Sequence, residues 1–161
     1  MADQGSEYAT FIENELKHEH DRRDAVNSRA AGAITAATGL VTIVLAVLAV
    51  LKGKDFTLTG GPLTAIAVAL FALLAAAVLA ILAGINWNYN VTTVDTMREM
   101  LRGHWGDSEI DARNIAAHCN VETISSLRKG TNVKFRYLIA GAGAQVVAVL
   151  ALSVSALLAI T

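Results

Sequence analysis

Three stretches of the chain carry no Asp, Glu, Lys or Arg: residues 30–51, 56–94 and 137–161. Each contains a run long enough to cross a bilayer as a helix. The first, AAGAITAATGLVTIVLAVLAVL from Ala30 to Leu51, has 22 residues. At 1.5 Å per residue it would span about 33 Å, against a hydrocarbon core of about 30 Å. The second is expected over 62–87, with Pro62 in the first turn, where a missing N–H costs nothing, and Trp87 at the far interface. The third is expected over 137–161, opening on Tyr137. Apolar periodicity is weak inside all three, as it must be where the surroundings are apolar on every side, so length and absence of charge identify them.

The charged segments run into the apolar ones without a stop. KHEHDRRDAVNSRAAGAITAATGLVTIVLAV, residues 17–47, holds no proline or turn cluster. The simplest reading is one long helix from about Ser6 to Leu51, with a polar stalk and an apolar span. NVETISSLRKGTNVKFRYLIAGAGAQVV, from Asn120, repeats the design with only Gly130 as a weak point. The predicted fold is an all-α integral membrane protein. It has a stalk at 1–29, a first span at 30–51, an external loop at 52–61 and a second span at 62–87. A connector and second stalk at 88–136 and a third span at 137–161 follow.

Composition sharpens this. Of 161 residues, 54% are hydrophobic and 17% charged, below the roughly 25% charged of soluble proteins. A soluble chain of this size could not wrap three such segments. The net charge of −1 gives no reason to expect nucleic acid. Lys and Arg set the direction: eleven lie before the first span and between the second and third, and two lie in the 52–61 loop. The positive-inside rule then puts the N-terminus and residues 88–136 in the cytoplasm and the C-terminus outside, in the inner (cytoplasmic) membrane. The single Cys119 excludes an internal disulfide and suits a reducing compartment.

In the first stalk, Tyr8, Phe11, Ile12 and Leu16, then Val26 and Ala30, follow one helical face. His20 and Arg23 fall on that face inside a stretch, 17–24, with no apolar side chain. Either the face is wet there, or these residues meet an anion or a buried acid. The connector is expected to prolong the second helix, with Val91, Val94, Met97, Met100 and Leu101 as its apolar face, and to stop at RGHWGD. Asp107 or Ser108 caps the next helix, and a kink or a break is expected near Cys119 and Asn120. Arg128 and Asn132 share a face below the third span. Arg128, Lys129, Lys134 and Arg136 are either snorkelling anchors for anionic headgroups, or Arg128 joins Arg23 in a site for a phosphate-bearing ligand. Within the spans, Gly32, Ala36, Gly141 and Gly143 permit close helix approach. Gln145 calls for a hydrogen-bond partner, which a homo-oligomer would supply.

Catalytic and metal chemistry finds no footing. His18 and His20 point in nearly opposite directions on a helix, and His118 and Cys119 lie about 100° apart, so neither pair converges on a metal. GAGAQV at 141–146 lacks the third glycine and preceding strand of a dinucleotide site. No span holds an ionisable residue of the kind that marks a pump. The expectation is a non-enzyme with no cofactor.

ENELKHEHDRRDAVNSRAAGAITAATGLVTIVL and SLRKGTNVKFRYLIAGAGAQ, two charged helices each leading into a span, resemble the small bacterial transmembrane effectors of anti-phage nucleotide signalling, of the Pycsar and CBASS type. That resemblance implies a cyclic nucleotide as ligand and membrane disruption as output. The candidate ligand residues are then His20, Arg23, Arg128 and Asn132. Two other readings stand beside an oligomeric, ligand-sensing effector or pore: a scaffold subunit of a larger membrane complex, and a holin-like phage protein.

Overall fold

The computed structural model describes residues 5–52, 60–85 and 87–160, with no strand among them. Four helices follow in order: α1 Ser6–Lys52, α2 Gly61–Gly84, α3 Val94–Gly103 and α4 Glu109–Ile160. α1 has 47 residues and α4 has 52, so they extend about 70 and 78 Å, more than twice a bilayer core. α1, α2 and α4 each contain a stretch long and apolar enough to cross a membrane. Most of the 52–61 loop lies outside the described residues.

The chain packs as two compact units. One comprises residues 1–25 and 86–133, the other 26–85 and 134–161. In the second unit the inward positions recur at steps of four and three or of their sum, seven: Val26, Ala30, Ala37 and Val44 on α1; Ala69, Leu73, Ala76, Ala80 and Ala83 on α2; Lys134, Gly141, Ala148 and Ser155 on α4. That is the 3.5-residue spacing of left-handed helix packing. The seam is built mainly of alanine and glycine, which lets the backbones approach closely. α2 runs antiparallel to its neighbours: a methyl at Gly141 would lie 3.4 Å from the Ala76 carbonyl oxygen, while the Ser155 hydroxyl donates to the Pro62 carbonyl at 3.0 Å.

In the first unit, Thr123, Ile124, Leu127 and Thr131 of α4 are buried, and Glu19 is the buried position of α1. Ser108 starts α4: its hydroxyl accepts from the Asp111 N–H at 3.2 Å and donates to the Asp111 carboxylate at 2.8 Å.

Two expectations are corrected. α2 does not continue into the connector; it ends at Gly84, where Ile85 turns extended (φ −61°, ψ 140°), and Trp87 lies beyond it. The asparagine-rich WNYN segment has polar side chains that compete for backbone groups. It also finds better partners on α4: the Asn90 N–H donates to the Ser126 hydroxyl at 2.8 Å, and the Tyr89 ring occupies the space over Gly130. The helix restarts only at Val94, capped by Thr93, whose hydroxyl accepts from the Thr96 N–H. Nor does α4 break near Cys119. Asn120 is an interior helical residue, and the Thr123 hydroxyl donates to the Cys119 carbonyl within an unbroken ladder.

Candidate functional site

The first unit's charges converge where α1 meets α4. Ile12, Leu16, Glu19 and Arg23 occupy successive inward positions of α1, so the stripe does not stop at the polar stretch; it becomes ionic. Glu19 is 3% exposed. Arg128 reaches it from α4, its Nε donating to Glu19 Oε1 at 2.7 Å, while its NH2 donates to Glu15 Oε2 at 2.6 Å. The bond to Glu19, its charge and the Glu15 carboxylate hold the Arg128 guanidinium above the ordinary arginine range, against a smaller desolvation effect. Arg22 lies 3.5 Å from the second Glu19 oxygen and donates to Asn132 Oδ1 at 2.7 Å.

Of the four candidate ligand residues, Arg128 and Asn132 belong to this cluster. Arg23 pairs with its neighbour Asp24 at 3.1 Å. His20 is half-buried and makes no side-chain hydrogen bond or ion pair among the described residues. Arg23 also acts on Tyr89, whose phenol burial pushes above its ordinary value while the arginine's charge pulls it partly back. Arg128 is not a headgroup anchor, because it is committed to two carboxylates. Lys134 is not one either: it is 0% exposed, and its Nζ donates to Asn27 Oδ1 at 2.8 Å inside the second unit.

The candidate packing residues divide. Gly141 is buried against α2, and Gln145 donates to the Ala33 carbonyl of the same chain at 3.1 Å, so its amide is already engaged. Gly32, Ala36 and Gly143 lie on outer faces. A methyl at Gly32 or Gly143 would meet nothing within 4 Å.

Sequence reasoning passed over Glu15, Glu19, Asn27 and Tyr89. The signal for Glu19 was present: it lies three residues after Leu16 and seven before Val26, on the same stripe. The first unit also exposes large apolar side chains, among them Tyr8 at 77%, Phe11 at 64% and Trp105 at 80%. Comparison of the chain with known protein families, with curated proteins and with solved structures finds no match.

Proposed function

We propose that this chain is a non-catalytic integral membrane protein that crosses the inner membrane three times and self-associates through its cytoplasmic unit. In this reading the second unit lies in lipid and the first stands in the cytoplasm, as the Lys and Arg distribution favours. The observation that carries the assembly role is the exposure of Tyr8, Phe11 and Trp105 on a unit otherwise rich in ion pairs. Exposed aromatic side chains on a water-facing surface are a cost that a partner surface removes. The outward Gly32, Ala36 and Gly143 would allow protomers to approach closely in the bilayer as well.

Nucleotide sensing takes second place. A phosphate would have to compete with Glu15 and Glu19 for Arg128, and with Asp24 for Arg23. Cys119 should resist an impermeant thiol reagent in intact cells and react once they are opened and the protein is unfolded. Tyr8→Ser, Phe11→Ser and Trp105→Ser together should convert a crosslinkable oligomer to monomer while membrane insertion persists. An oligomer of unchanged size in mass photometry would refute this interface. A wild-type monomer bound to an unrelated protein would favour the scaffold reading, and a thermal shift with cyclic nucleotides would restore the sensing one.

A further inference from the structure

Within the first unit, the extended 87–93 segment and α4 enclose a cleft of about 310 Å³. Its wall is fixed by the Asn90–Ser126 hydrogen bond and by Tyr89 packed at Gly130. Two opposite charges line it, Glu122 and Lys129. Unlike Arg22, Arg23, Arg98 and Arg128, neither has an ion-pair partner among the described residues. They stand seven residues apart on α4, so their Cα atoms are about 10 Å apart on one helix face. Trp87 and Asn88 add an indole and an amide.

From this lining we infer that the cleft binds a phosphorylated amine, the chemistry of an ethanolamine phospholipid headgroup. Lys129 takes the phosphate as a point charge, and the amide of Asn88 donates alongside it. Glu122 takes the ammonium, with the Trp87 indole face as a second cation site. A singly anionic headgroup would leave Glu122 facing it with like charge. The connectivity favours a lipid source, on the three-span reading: Trp87 follows the end of α2 by three residues, and Val133, also on the cleft, precedes Tyr137 by four.

Delipidated protein in mild detergent, titrated with short-chain phosphatidylethanolamine and phosphatidylglycerol, tests this by native mass spectrometry. A Trp105→Phe background lets Trp87 fluorescence report on the cleft directly. Saturable binding of the ethanolamine lipid is expected, weakened about tenfold by Glu122→Gln and by Lys129→Gln, and unchanged by Arg136→Gln. Equal binding of both lipids, or binding indifferent to Glu122→Gln, overturns the assignment. Soluble glycerophosphoethanolamine binding as tightly as the lipid would support the headgroup chemistry and assign it to a free metabolite. Failure of the three-span reading appears separately, as loss of the chain from carbonate-washed membranes.

Discussion

Along α1 the inward positions of the first unit are Ile12, Leu16, Glu19 and Arg23; those of the second are Val26, Ala30, Ala37 and Val44. Spacing and helix are the same, but the chemistry changes within three residues. α4 does likewise, moving from a face whose Arg128 holds two carboxylates, through the buried Lys134 on Asn27, to one of Gly141, Ala148 and Ser155. In water, apolar burial drives helices together and ion pairs choose the register, because a misplaced carboxylate costs more than a misplaced leucine. In lipid the hydrophobic drive vanishes, and small side chains do the work by letting backbones touch. On the three-span reading, one pair of continuous helices obeys both sets of rules in succession.

The contrast breaks most sharply at Arg128. Arg128→Leu takes the closer cation from the buried Glu19 carboxylate and leaves it only Arg22, at 3.5 Å. The first half of α1 should then open to trypsin at Lys17, Arg22 and Arg23, while the spans stay protected. Adding Glu19→Leu removes the stranded charge, and an apolar pair in place of a buried ion pair is commonly neutral or better, so resistance should return. Wild-type resistance in the single variant would mean that the ion cluster does not hold the stalks together.

Glycine substitutions sharpen the same contrast at smaller scale. A methyl at Gly130 runs into the Tyr89 ring, whereas at Gly141 it sits 3.4 Å from its neighbours, ordinary contact. Alanine gains about 1 kcal/mol over glycine inside a helix, and overpacking costs about 1–3 kcal/mol. Gly130→Ala should therefore lose up to about 2 kcal/mol, and Gly141→Ala should change stability by less than about 1 kcal/mol. In a Tyr89→Ala background the sign at Gly130 should reverse. Thermal melts in one detergent compare all four, and a Gly130→Ala loss that persists without the ring would mean the close approach is not its cause.

The three apolar helices were legible because lipid-length runs without charge leave few alternatives. Their seam was not legible: Ala69, Leu73, Ala76, Ala80 and Ala83 keep the four-three step, but in an evenly apolar segment nothing distinguishes that stripe from its neighbours. The end of α2 was legible only in part: WNYN is a local signal, but the partners that hold it, Ser126 and Gly130, lie some forty residues on. Glu19 could be placed on the inward stripe, yet its choice of Arg128, 109 residues away, is a tertiary fact that spacing does not carry. Lys134 misleads for the same reason. A lysine before a span suggests snorkelling, and only Asn27 on α1 reveals that its ammonium turns inward.

The smallest effect concerns Tyr89, which joins the connector to the ionic stripe. Burial raises its phenol's pKa and Arg23 lowers it, with burial the larger influence. A raised pKa on an acid that is neutral when protonated means that the folded state holds the proton more tightly than the unfolded chain does. The neutral phenol therefore favours folding below the unfolded value of about 10, and that contribution is lost as pH rises through the folded pKa. With Tyr8→Phe and Tyr137→Phe removing the other two phenols, the phenolate absorbance should appear at higher pH in the folded protein than after denaturation. Arg23→Gln removes the opposing cation and should move the titration higher still. A titration that stays where it was would show that the Arg23 charge does not reach the ring.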